Sequence, residues 1–244
     1  MYDWPEERAE VDAFWTHLRS KSGLMLPEAL ERPAEEAELF ALWSDPWMVF
    51  SQCCWGPISL GMAPGLKVLA QPDYSDVPGG RGAAYRSALV ARAGPSCAVP
   101  GDAGPALPAG LDTVGRLATN ARHSMSGWLA LMEDAEVLRQ RAQRDERAGM
   151  PDAPALEVIE TGGHRASIRA VAEGRADLAA VDCRSWALAL RHEACAADLV
   201  VVGWTAERPG LPYVTSDRTD TETAARLSDT LIGMGCHPPQ ARDR

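Results

Sequence analysis

Three short segments bring hydroxyl, imidazole and carboxylate groups to places where strands give way to helices. Ser124 and Ser126 lead into Gly127 at the start of an apolar helical pattern. Thr161-Gly162-Gly163-His164 follows a strand pattern at 156–159, and Asp182 closes the apolar run 178–181. Ligands of open α/β sheets collect at such strand ends, and unpaired N–H groups at helix starts favour anions. Two serine hydroxyls, with Asn120 and His123 nearby, supply donors. The Gly-Gly pair lets backbone approach a ligand closely. Asp182 is the unusual member, because an ionised carboxylate only accepts hydrogen bonds. It repels a fully ionised anion and welcomes one that still carries an O–H. Phosphate, phosphite and phosphonates keep a proton near neutral pH and sulfate does not, so Asp182 predicts selection for protonatable oxyanions. Plainer roles compete at each position. Serine is a strong N-cap, a single histidine is commonly a structural residue, Thr161 and Ser167 suit caps, and Asp182 suits the cap of a helix starting near 184.

The elements that must position these groups are legible as patterns. Residues 156–182 read as β-α-β: a strand, the Gly-Gly turn, a helix with Ile168, Val171 and Ala172 at helical spacing, a stop at Gly174, and a buried strand. Residues 5–19 form a first helix with Val11, Phe14, Trp15 and Leu18 on one face. A short helix or turn is expected at 27–30, another helix at 39–43, strands at 48–51, 66–70, 85–93, 116–119 and 199–204, and an extended stretch at 211–215. Helices are expected at 126–139, 184–191 and 221–234, the last started by Asp220 or Thr221 and closed at Gly235. The charged run 139–147 reads as a solvated helix end, and Asp177 as orienting the turn at Gly174. The Pro/Gly-rich stretch 94–112 is the expected first crossing between two lobes. Tryptophans 4, 15, 43, 47, 128, 186 and 204 read as core. Alternating strands and helices imply mostly parallel sheets flanked by helices.

The ordered set of motifs resembles a known family. Asp45-Pro46, Gln52-Cys53 with Gly56-Pro57, Tyr85-Arg86-Ser87, Ser124-Met125-Ser126-Gly127, Thr161-Gly162-Gly163-His164, Gly174-Arg175-Ala176-Asp177 and Val181-Asp182-Cys183 look like the phosphate/phosphite/phosphonate-binding proteins. These are the substrate-binding components associated with phosphonate ABC transporters, and the likeness runs from about Tyr2 to Val214. It implies a two-lobed type II periplasmic-binding-protein fold, with residues 1–93 and 199–244 as one lobe, 94–198 as an inserted lobe, and a ligand cleft between them. It also implies that Ser124, Ser126, Gly127, His164 and Asp182 contact the ligand, joined by Thr161, Tyr85, Gln52, Cys53 and Tyr2. Relatives often carry Thr where this chain has Cys53. They also begin with an apolar strand ahead of the Met-Tyr-Asp element at which this chain starts, so either that inner strand is missing or the true start lies upstream.

Composition bounds the rest. The 244 residues are 46% hydrophobic and 24% charged, enough for two lobes that each bury a core. A net charge of −10 argues against nucleic acid but permits a local anion pocket of backbone N–H groups. The first residues carry no basic n-region or apolar h-region, and no apolar run reaches membrane-spanning length. A cytoplasmic location is therefore expected for the chain as it stands, and a periplasmic one if the start lies upstream. The six cysteines have no metal-ligand spacing, and no catalytic motif such as a nucleophile elbow, HExxH or P-loop occurs. The expectation is a solute-binding protein that closes by hinge motion over a small tetrahedral oxyanion. It is expected to need no cofactor or metal and to be no enzyme, with an ABC permease as a possible partner. The alternatives are an enzyme of the thiamine-pyrimidine-synthesis type on the same fold, with Cys53, Cys183 or His164 reacting, and a cytosolic ligand-sensing domain.

Overall fold

A computed structural model describes residues 2–92, 104–108, 111, 114–144 and 156–239, the side chains of 142–144 excepted. Helix α1 (Arg8–Ser22) and helix α2 (Glu36–Ser44) precede strand β1 (Ser51–Gln52), helix α3 (Trp55–Ser59) and strand β2 (Leu66–Ala70). Strands β3 (Gly80–Arg81), β4 (Ala84–Tyr85), β5 (Ser87–Arg92) and β6 (Arg116–Thr119) follow. Then come helix α4 (Ala130–Arg144), strand β7 (Glu157–Glu160), helix α5 (His164–Ala172), strand β8 (Leu178–Asp182) and helix α6 (Cys183–His192). Strands β9 (Leu199–Trp204), β10 (Arg208–Pro209) and β11 (Tyr213–Ser216) and helix α7 (Thr221–Gly233) complete the order.

The chain divides into two compact units. One comprises 1–74, 81–83 and 209–244, the other 75–80 and 84–208. In the first, Trp15 and Leu18 of α1 pack with Leu69 and Ala70 of β2 and with Ala224, Leu227 and Leu231 of α7. Each fully buried leucine contributes roughly 1.5–3 kcal/mol. Gly23, at φ 63°, ends α1 in the left-handed conformation that glycine adopts freely. Asp220 caps α7 by accepting the Thr223 N–H at 2.8 Å. A second cluster gathers Trp43, Met48, Cys53, Ala63 and Val214. The strand expected at 48–51 is only the pair Ser51–Gln52, and 27–30 is a bend without a helix. Trp47, expected in the core, is 85% exposed.

The second unit is built on a five-stranded sheet of order β7-β6-β8-β5-β9. All five residues of β8 are buried, as are Ala88, Leu89 and Val90 of β5. These are the continuous apolar runs of strands covered on both faces. The helix expected from 126 begins instead with a π-helical turn, Met125–Leu129, which runs into α4.

Two expectations need correction. The sheets are not mostly parallel. In the first unit β1 and β2 both pair antiparallel with β11. In the second, β6 is parallel to β7 and β8, whereas β5 is antiparallel to β8 and β9. Helical crossovers dictate the direction of consecutive strands, and they do so here. The single reversed strand in each of these two sheets is the one beside a passage between units: β5 after the chain enters the second unit, β11 after it returns. For the same reason the lobe boundaries differ from those expected. Residues 84–92 and 199–208 belong to the second unit, because β5 and β9 hydrogen-bond into its sheet. Most of the stretch 94–112, expected as the crossing, lies outside the described residues.

Candidate functional site

Strands β6, β7 and β8 run parallel, so their carboxyl ends meet at one edge of the second unit's sheet. β5 runs the other way, and its first residue, Ser87, lies directly opposite Asp182 at that edge. Three helix starts follow from these strand ends.

After β6 comes the turn into the π-helical segment. Ser124 is its N-cap, and its Oγ accepts the Gly127 N–H at 3.1 Å. Ser126 has no capping bond and instead lies 2.8 Å from His164 Nε2 and 3.4 Å from Ser124 Oγ. Both serines are buried. Gly127 is required by packing, since a Cβ there would fall 1.8 Å from Asn120 Oδ1. After β7, Gly162 turns the chain at φ 81° and Gly163 precedes α5, whose first residue is His164. The Thr161 hydroxyl bonds the Thr119 and Gly163 carbonyls, at 3.0 and 3.1 Å, and meets Ser167 Oγ at 2.7 Å. Its one hydrogen goes to a carbonyl, so Ser167 donates to it, and Thr161 acts as a clip on its own turn. After β8, Asp182 Oδ1 accepts the Ser185 N–H at 2.9 Å as the N-cap of α6, while Oδ2 lies 3.3 Å from His164 Nε2.

The imidazole is therefore approached on one nitrogen by two groups. Burial pushes its pKa below the usual 6.5, against the opposing pull of the Asp182 charge. A neutral ring beside a carboxylate carries its proton on the facing nitrogen, which makes Nε2 the donor. Nδ1 is then a buried acceptor with no partner among the described residues. Hydrolytic triads need the acid on one nitrogen and the serine on the other. Here both crowd Nε2, so Ser126-His164-Asp182 lacks the relay of a nucleophilic site. The thiols offered as nucleophiles are poor ones. Burial pushes Cys183 up to about 12 and Cys53 higher still. Arginines near these turns are held by carboxylates: Arg165 by Glu193, Arg184 by Asp76 and Arg122 by Glu160. Hydroxyls, helix-start N–H groups, one imidazole and one carboxylate therefore gather at this sheet edge.

The remaining expected residues lie elsewhere. Tyr85, buried in β4, is two residues before Ser87 and so shares its face in extended chain. Gln52, Cys53 and Tyr2 belong to the first unit. Gln52 Nε2 donates to the Leu211 carbonyl at 3.1 Å. Cys53 is fully buried, its thiol turned to the Cys54 carbonyl, because the apolar cluster around it has room for a side chain that needs no strong partner. The Tyr2 hydroxyl meets that of Tyr74 at 3.0 Å, and Tyr74 accepts the Leu211 N–H at 3.1 Å. The sequence reading did not single out Tyr74, and it named Asn120 only as a nearby donor and Ser87 only as part of its motif. The glycine at 127, which nothing in helix propensity favours, was the available sign of a neighbour pressed against it. Among the described residues no cluster of three or more His, Cys, Asp or Glu could hold a metal.

The fold is that of two-lobed binding proteins. A binding component of an ABC phosphonate transporter from Pseudomonas aeruginosa superposes with a TM-score of 0.58 at 17% identity, over 91% of this chain and 68% of that one. PhnD1 from Prochlorococcus marinus, in complex with methylphosphonate, gives 0.57 at 15% identity over 91% and 77%. The periplasmic VFT2 domain of BvgS from Bordetella pertussis gives 0.54 at 18% over 91% and 76%. None of the curated proteins compared matches the chain. The model of the family described as "ABC transporter, phosphonate, periplasmic substrate-binding protein" matches residues 60–243, and the chain belongs to that family.

Proposed function

We propose that this chain binds a small tetrahedral oxyanion that retains a proton: a phosphonate, phosphite or phosphate. Ser124, Ser126 and the N–H groups of the helix starts donate to its ionised oxygens, and Asp182 accepts its O–H. The observation that carries the reading is the shared contact of Ser126 and Asp182 with one nitrogen of a buried, neutral His164. It sets hydroxyl and N–H donors beside one fixed, capped carboxylate, with no nucleophile relay. Family membership supports the phosphonate class and a role in delivering ligand to an ABC permease. A periplasmic location and a hinge movement of the two units on binding are part of the same proposal.

Ser126→Ala tests it. Ser124 is the residue that caps the turn, so the variant keeps its fold. Calorimetric titration with methylphosphonate should show a loss of about 1.5–3 kcal/mol, the range for a hydrogen bond to a charged group. Wild-type affinity in the folded variant would reject the contact. No binding of methylphosphonate, phosphite or phosphate by the wild type would reject the function.

A further inference from the structure

We infer that Ser87 is a further ligand-binding hydroxyl of this site, working beside Asp182 on a phosphonate-type oxyanion. The inference rests on the function proposed above. Ser87 is fully buried, and its Oγ has no partner among the described residues. Its backbone is fully used: the N–H donates to Thr205 Oγ1 at 2.8 Å and the carbonyl accepts the Thr205 N–H at 3.0 Å. The residue is thus held firmly while its hydroxyl is left idle. The register sets Ser87 directly opposite Asp182. Side chains so paired share one face of the sheet, with Cβ atoms roughly 4.5–5.5 Å apart.

The strand itself gives no reason for a hydroxyl here. Ala88, Leu89 and Val90 follow as apolar, fully buried residues, and alanine at 87 would satisfy the ladder equally. A buried hydroxyl without a partner costs stability, so something outside the ladder accounts for it. Two more buried atoms of the same sheet edge lack partners among the described residues: His164 Nδ1 and Asn120 Oδ1. Ser87 is thus the idle hydroxyl paired across the ladder with the capped carboxylate, as fits a group kept for a ligand. Asp182 can only accept, whereas a hydroxyl both donates and accepts. Ser87 therefore donates to an ionised oxygen of the ligand whose protonated oxygen Asp182 receives.

The test uses the full chain, calorimetry with methylphosphonate, and melting of the ligand-free protein. Ser87→Ala removes an idle hydroxyl, so the free protein should melt about 2 °C or more higher, while methylphosphonate binds about ten-fold or more weakly. Ser87→Cys keeps the size and has only a weak donor, and it should also lose affinity. A higher melting point with unchanged affinity would make Ser87 a mere packing defect. A lower melting point with unchanged affinity would assign it a buried water. Wild-type affinity in Ser87→Cys overturns the inference in any case. Failure of the wild type to bind methylphosphonate, phosphite or phosphate overturns the proposed function and this inference with it.

Discussion

At the scale of single residues, His164 is the group whose state governs the site. Burial lowers its pKa from the ordinary 6.5, with the Asp182 charge opposing. Below pH 6.5 the unfolded chain therefore takes up a proton that the folded chain resists. Stability tracks the difference in bound protons, so the contribution is intact above 6.5 and is lost as pH falls from there toward the lower folded value. Denaturant unfolding between pH 7.5 and 5 should show wild type losing more stability than His164→Gln, whose neutral amide cannot titrate. Parallel profiles would mean that folding leaves the ring's pKa unchanged. The sequence made the residue types of this site legible: Ser124, Ser126, His164 and Asp182 all lie at one sheet edge. It did not reveal that serine and acid share Nε2, nor that Thr161 is bound to its own turn. Those are matters of ring orientation and of competition among nearby carbonyls, which carry no pattern along the chain. The surroundings of Cys53 were likewise not legible. Its place in the motif suggested a ligand contact, but the cluster of Trp43, Met48, Ala63 and Val214 encloses it.

At the scale of elements, turns bring the groups into range, and two glycines with similar dihedrals do different work. Gly79, at φ 89°, lies where a Cβ would fall 2.2 Å from the buried Trp204 ring, whereas Gly162, at φ 81°, has open space around it. Alanine at 162 should cost about 1–2 kcal/mol, the penalty of a left-handed backbone alone. Alanine at 79 should cost about 3 kcal/mol or more, since overpacking adds to the same penalty. Urea unfolding of the two variants checks the difference, and equal losses would mean that Trp204 gives way freely. Element identity was largely readable. The limits of β2 and β6 match their patterns, and α5 stops at Gly174 as its glycine indicated. The start of α4 was less so, because the π-helical turn depends on Ser124 accepting two backbone N–H groups, those of Trp128 and Leu129.

At the scale of the whole molecule, periodicity specifies strands but not the sheet they join. The pattern at 199–204 is that of a buried strand in either unit, and only its pairing with β5 assigns it to the second. The same holds for the reversed directions of β5 and β11, which follow from where the chain passes between units. The proposed hinge movement is a claim at this scale. Small-angle scattering should report a smaller radius of gyration when methylphosphonate saturates the protein, and no change with sulfate. An unchanged radius at saturating methylphosphonate would remove closure from the account.

The central claim is that Asp182 selects an oxyanion by its proton. Asp182 is buried, capped onto α6 and set against His164, so a ligand meets it as a fixed acceptor. Sites built to hydrogen-bond a polar group discriminate strongly against ligands that cannot complete the bond. The decisive measurement is calorimetric titration of wild type and Asp182→Asn with methylphosphonate and with sulfate at a single neutral pH. Wild type should bind methylphosphonate and discriminate against sulfate, and the variant should weaken methylphosphonate binding and narrow the gap. Equal wild-type affinity for both anions, or a ratio that Asp182→Asn leaves unchanged, would make Asp182 a helix cap and contradict the account.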